Sequence, residues 1–574
     1  MPVAPLLQKI STAETHVERL AVVKAFIARE PFPEQFTRQD AKQLAEAWCS
    51  FPRLIPLIDL SVYACRMSDS DFLVEIERIV SDRLLNLSAS PSGKGILETL
   101  RNHAEEHASG FFLGILKKIL LPSPVNVMRL MRIHYRLAEY EKVYELGSSH
   151  QYWKNPAIYQ FTTRQQFYLL NHDEEVISNR VESMISIWRD NLSDVPELDL
   201  TARKEGKIRV GYFDDLYDDK NYSAVFTPIL DLHDLSRFDV HHLAINGYRD
   251  GSEARRSDIV WVDLKDLDAQ QRIAKIRMLD LDIIYDTWGV VFSDQAQILT
   301  RGLAKAQVHG AFNSVTSTDS LYTHILAPEN YLSEETAARI KEKVVDLDAS
   351  SWPCDVLQRR AVDVPPPPRH KNGHLTFGSL SQGYKISSDT LHLWGKIVSS
   401  IDDAHFFLGT PRAGDLSQRA KVYSVFAQYG VSPDRISIRP AAGFPDYLRS
   451  LEHIDICLAT YPVAGGMTVT DYLAHGRPCL TLDAEGIIGR MGRVALQGFD
   501  LSELAFRTEA EIIAFAQRLA NDTAQLDKLC EDKLSIIVLK EQSDKTNLQY
   551  TRALEQAYET IFADFIEPKI TKKS

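Results

Sequence analysis

The stretch Asp455-Ile-Cys-Leu-Ala-Thr-Tyr-Pro-Val-Ala-Gly-Gly-Met-Thr-Val-Thr-Asp-Tyr-Leu-Ala-His-Gly-Arg-Pro-Cys-Leu-Thr-Leu482 decides the fold. An apolar run at Ile456–Thr460 leads into a loop that ends in Gly465 and Gly466. Helical spacing follows, a turn comes at Gly476, and a second apolar run occupies Cys479–Leu482. Strand, glycine-rich loop, helix, turn and strand in that order make one unit of a parallel sheet covered on both faces. A glycine pair at a helix entry leaves backbone N–H groups bare beside the positive end of the helix dipole, which suits a diphosphate. Gly465, Gly466, Met467 and Thr468 are therefore candidate diphosphate-binding residues. Thr468 either caps the helix or donates to a phosphate. Asp471, expected within about the first turn, either accepts from ribose hydroxyls or only complements the helix dipole. Gly-Gly before a helix is a weak signal by itself.

The same alternation recurs on the N-terminal side. Leu375–Leu380, His405–Gly409 and Ile436–Arg439 are strand-like runs preceding the decisive stretch. Lys207–Phe213, Asp239–Ile245, Ile259–Val262, Leu281–Asp286, Ala306–Phe312 and Thr323–Ala327 form an earlier series. Helix-like segments separate most of them, so two successive doubly wound α/β domains are expected, with ligands at the strand C-terminal ends. Val364-Pro-Pro-Pro-Pro-Arg-His-Lys-Asn-Gly lies between the two series and is read as a stiff connector. Upstream of about residue 200, apolar residues recur with helical period. Tyr135, Leu137 and Val143 repeat as Tyr168, Leu170 and Val176, a spacing close to that of helix-pair solenoids. Coincidence within a plain bundle is the alternative.

Composition narrows the classes. The formal charge of −13 disfavours a nucleic-acid-binding surface. No apolar run reaches the ~18 residues of a membrane span. The first residues lack a basic segment followed by an apolar core, so a cytoplasmic location is expected. The six cysteines form no CxxC pair and the 17 histidines form no HExxH, so neither a zinc ribbon nor a metalloprotease is indicated. No metal and no cofactor is expected.

Three further residues carry candidate chemistry. Lys385 follows the first strand of the second series, where its ammonium can neutralise a departing diphosphate; a solvated surface lysine is the ordinary alternative. His309 sits in a strand-like run and has the near-neutral pKa of a general base, although structural histidines are commoner. Asp286 ends a strand, where α/β catalytic residues gather, or it caps the next turn. The acidic run Asp214–Lys220 lacks the spacing of an EF-hand.

Phe377–Trp394 (FGSLSQGYKISSDTLHLW), Arg439–Tyr447, the glycine-loop helix and Gln549-Tyr-Thr together resemble the O-GlcNAc transferase family, glycosyltransferase family 41. That family includes bacterial adhesin N-glycosyltransferases and flagellin-modifying relatives. Arg209-Val-Gly-Tyr and Gln307–Ser317 look similar too. The likeness covers roughly residues 207–565 and is clear over 375–485. It implies a GT-B type α/β fold, two Rossmann-like domains facing a cleft, with an all-α and possibly TPR-like N-terminal domain. The expected divisions are 1–205, 206–363, the linker 364–372, and 373–574 with a closing helix. Carried over by position, Lys385 matches a lysine on the donor diphosphate and Ala442 a backbone contact to uracil. Tyr447 replaces a histidine packed near the nucleotide. Thr468 matches a phosphate-binding threonine and Asp471 a ribose-binding aspartate. The chain departs from the pattern at Gly466 and Met467, where the family usually has histidine and threonine. An early family histidine falls near Lys220 or Asn221, and a histidine of the adhesin enzymes falls at Asn313.

The resemblance implies an inverting transfer of GlcNAc or glucose from a UDP-sugar to a protein side chain, flagellin and adhesins being candidate acceptors docked by the N-terminal helices. A UDP-sugar epimerase of the same fold is a second class. A non-catalytic nucleotide-sugar-binding scaffold is a third, favoured by the missing histidines.

Overall fold

A computed structural model of the chain describes residues 174–198, 206–214, 220–248, 256–361 and 364–566, except 288, 292, 312–316, 411–415 and 441–442, together with Ile158 and Tyr159. Most of the expected helical domain 1–205, including the 33-residue repeat apart from the backbone at Val176, lies outside these residues, as do Ala442 and Asn313. The chain divides into two compact units, residues 1–165 with 412–422, and residues 166–411 with 423–574. The second unit holds both sheets.

Its first half carries strands β1 (Ile208–Asp214), β2 (Phe238–Ala244), β3 (Val260–Asp263), β4 (Ile283–Asp286), β5 (Ala306–Gly310), β6 (His324–Pro328) and β7 (Lys343–Leu347). Its second half carries β8 (Thr376–Ser379), β9 (His405–Thr410), β10 (Ile436–Pro440), β11 (Ile456–Leu458), β12 (Cys479–Leu482) and β13 (Ala505–Phe506). The helices are α1 (Glu174–Asn191), α2 (Lys220–Leu232), α3 (Ala269–Arg277), α4 (Ser293–Leu299), α5 (Glu334–Arg339), α6 (Arg369–Asn372), α7 (Ser388–Ser399), α8 (Leu416–Gln428), α9 (Gly443–Arg449), α10 (Gly466–Ala474), α11 (Met491–Gln497), α12 (Glu509–Asn521), α13 (Thr523–Lys533) and α14 (Ile536–Ile566).

The sheets are ordered β3-β2-β1-β4-β5-β6-β7 and β10-β9-β8-β11-β12-β13, and every pairing within them is parallel. Chain order reverses between β1 and β4 in the first sheet and between β8 and β11 in the second. At each reversal the flanking crossovers lie on opposite faces, which opens a crevice at the strand C-terminal ends. The central strands are buried along their whole length, as at β4, β5, β8 and β12. Burial on both faces is why their sequences read as unbroken apolar runs.

Two strands escaped the sequence reading. β7 lies at the edge of its sheet and is half exposed, so Lys343-Val-Val-Asp-Leu lacks the apolar density of a central strand. β13 has two residues and carries no pattern.

Two helices connect parts that the sequence assigned separately. α1 falls in the all-α span read from sequence, yet it packs on the first sheet's half. Val181, Met184, Ile185 and Trp188 are buried, and Glu182 accepts hydrogen bonds from Thr318 (2.7 Å) and Ser320 (2.5 Å). Burying each such large side chain contributes ~1.5–3 kcal/mol. α14, expected to close the second half, starts there and then packs on the first sheet. Asn547 Oδ1 accepts from the Cys354 amide at 2.7 Å. Further along, Glu555 accepts from the Asp234 amide (2.7 Å) and contacts His233 Nδ1 (3.1 Å), and Tyr558 donates to the Tyr212 hydroxyl (3.3 Å). The polyproline connector ends in the helical turn α6, where the Arg369 amide donates to buried Asp455 at 3.0 Å. The connector is thus docked rather than loose.

Candidate functional site

The crevice of the second sheet lies between the loops that follow β8 and β11. Lys385 ends a 3₁₀ turn, Gly383–Lys385, just beyond β8. The loop after β11 is pinned next to it by the first turn of α7. The Thr390 hydroxyl donates to Tyr461 O (2.6 Å) and accepts from the Tyr461 amide (2.9 Å), and Ser387 donates to the same carbonyl at 2.6 Å. The Trp394 indole donates to Ala459 O at 3.1 Å, and the Tyr472 hydroxyl accepts from the Leu380 amide at 2.7 Å. These bonds tie the two loops into one wall.

As the sequence suggested, Gly465 is the N-cap of α10 and Gly466 its first residue. The first intrahelical bond runs from the Val469 amide to Gly465 O at 3.0 Å, so the amides of residues 466–468 precede the helical ladder. Both glycines are fixed by crowding. A Cβ on Gly465 would meet Thr468 Oγ1 at 2.8 Å and Lys385 Nζ at 3.2 Å. A Cβ on Gly466 would meet Trp352 Cζ2 at 2.6 Å and Met491 Cγ at 3.3 Å. The structure therefore brings Lys385, Gly465 and Thr468 to one point beside the helix start. Thr468 and Met467, both half-buried, complete its first turn. Burial pushes the Lys385 ammonium down to about 8. A cation at a helix N-terminus is unfavourable until an anion binds there, and this placement suits a phosphate.

Asp471 lies in the second turn of α10, not the first, so it does not complement the dipole. It is buried, and Arg359 grips both its oxygens, Nε to Oδ1 at 2.7 Å and Nη2 to Oδ2 at 3.0 Å. The Tyr447 hydroxyl donates to Oδ2 at 2.9 Å. Burial raises the Asp471 carboxyl against the pull of the guanidinium. Tyr447 lies nearly parallel to Phe444, with ring centroids 5.7 Å apart, and Arg359 sits 4.9 Å over the Phe444 ring. Tyr447 and Arg359 thus hold the carboxylate that the resemblance assigned to ribose, and Phe444 packs against both of them.

Asp286 and His309 do stand at the C-terminal ends of β4 and β5, but neither is presented to solvent: their exposures are 0% and 1%. Asp286 accepts from Gln295 Nε2 at 2.5 Å and from the Tyr322 hydroxyl. His309 stacks on Tyr322 with centroids 4.1 Å apart and places Nε2 3.3 Å from Glu342 Oε1. Glu342 also accepts from the Ser317 hydroxyl and from the Thr318 amide at 2.7 Å. In this conformation the two residues belong to a buried network that ties the strand ends to the 317–322 turn.

Sequence reasoning missed Arg359 and Trp352. Both lie in the irregular segment between β7 and the linker, and Arg359 is 112 positions from its partner. Irregular backbone has no period, so no local signal marks them. Among the described residues no group of three or more His, Cys, Asp or Glu could hold a metal ion, and no helix is long and apolar enough to cross a membrane.

Two Rossmann-ordered sheets, bridged by a C-terminal helix that returns to the first, define the GT-B class of fold. A mutant O-GlcNAc transferase of Thermobaculum terrenum superposes with a TM-score of 0.67 at 19% identity, over 90% of this chain and 99% of that one. At that identity the likeness is one of fold. More particularly, residues 369–553 match the model of glycosyl transferase family 41, and the resemblance read from the sequence is to that family. Among curated relatives, a probable UDP-N-acetylglucosamine–peptide N-acetylglucosaminyltransferase SPINDLY of Petunia hybrida is 24% identical over 375 residues, 63% of this chain and 39% of that protein. A UDP-N-acetylglucosamine–peptide N-acetylglucosaminyltransferase of Caenorhabditis elegans is 29% identical over 153 residues, 26% of this chain and 13% of that one. The aligned part thus spans about two-fifths or less of the length of these relatives.

Proposed function

We propose that the chain is an inverting glycosyltransferase that moves a sugar from a UDP-sugar to a protein side chain. The observation that carries this is the convergence of the Lys385 ammonium with the helix start at Gly465–Thr468, in the crevice of a sheet that matches family 41. In-line attack by an acceptor displaces UDP. Negative charge then grows on the diphosphate, and Lys385 with the bare amides of residues 466–468 stabilises it without a metal. That stabilisation is larger in the transition state than in the bound donor, so it lowers the barrier rather than only tightening binding. Relatives named for N-acetylglucosamine transfer to peptides favour GlcNAc over glucose as the sugar, and a protein as the acceptor. Flagellin and adhesins remain the acceptors suggested by the resemblance, and a cytoplasmic location fits them.

Calorimetry with UDP in chelator-treated buffer tests the donor site. Binding in the micromolar range is expected; no binding, or binding that needs a divalent ion, refutes the reading. Intact-mass measurement of proteins co-expressed with the chain tests the transfer, an added N-acetylhexosamine being the expected result. A second reading, a nucleotide-sugar-binding scaffold, is favoured by Gly466 and Met467 standing where the family has histidine and threonine. UDP binding without UDP release from any UDP-sugar, acceptor present or absent, would select it. An epimerase would interconvert UDP-sugars without releasing UDP.

A further inference from the structure

Besides α14 and the segment after β7, the two halves meet where the loops beyond β6 and β12 come together. Each loop leaves the C-terminal end of its strand, the end that faces the crevice. On the first half, Ser333 caps α5, its hydroxyl accepting from the Thr336 amide at 3.1 Å. The same hydroxyl donates to Glu485 Oε2 of the second half. The Thr336 hydroxyl donates to that oxygen at 3.4 Å and accepts from the Gly486 amide at 3.3 Å. Glu485 belongs to a tight turn, in which the Ala484 amide donates to Gly489 O and the Gly489 amide to Gly486 O, both at 3.1 Å. A Cβ on Gly489 would stand 2.1 Å from Ala484 O, so the turn admits no side chain there. It runs directly into α11, whose N-cap Arg490 places Nη2 3.8 Å from Glu485 Oε1. The first residues of α11 rest on the glycine loop. Met491 Cγ stands 3.3 Å from the Cβ position of Gly466, and a Cβ on Gly492 would meet Ala464 Cβ at 2.8 Å.

We infer that Ser333, Thr336 and Glu485 form a clasp across the crevice, and that its closure positions the glycine loop on which the donor diphosphate is held. Glu485 is a positioning residue: it touches no part of the donor, and it acts through the turn 484–489 and the start of α11. A shift of the first half at α5 pulls on the turn, the turn carries Met491 and Gly492, and these bear on Ala464 and Gly466. Close packing makes this path stiff, because neither glycine has room for even one added carbon. The clasp is also built to open. Thr336 is 1% exposed, but the Glu485 side chain is 57% exposed, so water can replace the bonds to its carboxylate at small cost. Closed, the clasp keeps the helix start in place around the diphosphate and slows the departure of the nucleotide. Open, it frees the loop and lets UDP leave. The role of the clasp in nucleotide release rests on the reading that the α10 start receives the donor diphosphate, whereas its hold on the glycine loop does not.

The test compares wild type with Glu485→Ala, Thr336→Val and Thr336→Ser in the full chain. Hydrogen exchange is followed on the nucleotide-free proteins, and UDP dissociation is timed by stopped flow. Glu485→Ala and Thr336→Val should quicken amide exchange over 464–468, more than 20 Å of chain away from either substitution in Thr336→Val's case being bridged only by the turn and α11. The same two variants should release UDP about two- to tenfold faster, the scale of one lost hydrogen bond. Thr336→Ser keeps the hydroxyl and should match wild type in both measurements. The inference is overturned if exchange quickens only within residues 333–339 and 484–489, or if both variants release UDP at the wild-type rate. It is likewise overturned if Thr336→Ser behaves as Thr336→Val does, since the hydroxyl then does nothing. Should Thr336→Val fail to fold, Glu485→Ala, a substitution at an exposed side chain, decides the matter alone. Wild type that binds no UDP refutes the proposed function instead, and exchange over 464–468 still decides whether the clasp positions the glycine loop.

Discussion

Lys385 is where burial and chemistry meet at the scale of one residue. Its ammonium is pushed down to about 8 by desolvation, so in the unliganded protein it loses its charge as pH rises through that value. The folded pKa lies below that of an unfolded lysine. Between the two, the unfolded chain binds the extra proton, and stability rises with pH while diphosphate affinity falls. UDP affinity measured across this window should decline in wild type and stay flat in Lys385→Ala. The same variant should lose kcat by roughly 10²–10³-fold, the scale of one preorganised electrostatic donor. A sugar-transfer assay with unchanged kcat would reduce Lys385 to an ordinary charge. Gly466 makes a second case. Gly466→Ala sets a methyl group 2.6 Å from the Trp352 ring and should cost ~1–3 kcal/mol by overpacking. Denaturant unfolding of Gly466→Ala, Trp352→Phe and the pair should show the smaller ring recovering part of that loss. The histidine usual in the family is therefore incompatible with the indole, and the two positions are coupled.

Among the elements, the turn after β5 is held by Glu342. Burial raises this carboxyl, but hydrogen bonds from His309, Ser317 and the Thr318 amide outweigh it and leave the group below its ordinary value. A depressed folded pKa contributes stability that is present above the unfolded value and lost as pH falls through the folded one. Thermal melting of wild type should therefore drop in acid. Glu342→Gln should melt lower at neutral pH and lose that part of the acid dependence. An identical acid profile in the two proteins would show that Glu342 does not hold the turn. The same network explains why Asp286 and His309, legible as strand-end residues, are not legible as buried ones. A sequence marks the end of a strand, whereas the turn that folds over it comes from residues 317–322.

For the whole molecule, the decisive fact is that α1 belongs to the unit that contains the sheets. The sequence placed a boundary near residue 205. A truncation there removes the buried Val181, Met184, Ile185 and Trp188 and should give insoluble protein. A truncation after Gln165 keeps α1 and should retain UDP binding while impairing modification of a protein acceptor. Equal modification rates in the shorter and full-length proteins would remove the acceptor-docking role from the N-terminal region. α14 makes a further cut unwise, because it carries Asn547 against the Cys354 amide and Glu555 against His233.

The sequence by itself determined the parallel α/β architecture, the two successive sheets and the glycine-bounded start of α10. These are local matters: strands buried on both faces must be apolar throughout, and a backbone approached this closely tolerates no side chain. It also placed Lys385 just beyond the first strand of the second sheet, where the 3₁₀ turn Gly383–Lys385 stands, since the residues following such a strand face the crevice. Only the tertiary structure decided what Asp471 touches, where Trp352 stands, and that Asp286 and His309 are sealed inside. Those outcomes depend on contacts between segments tens to hundreds of residues apart, such as Arg359 with Asp471 and His233 with Glu555. A pair of that kind leaves no period in either partner's neighbourhood, and its geometry exists only once both sheets and the helix bridging them have packed.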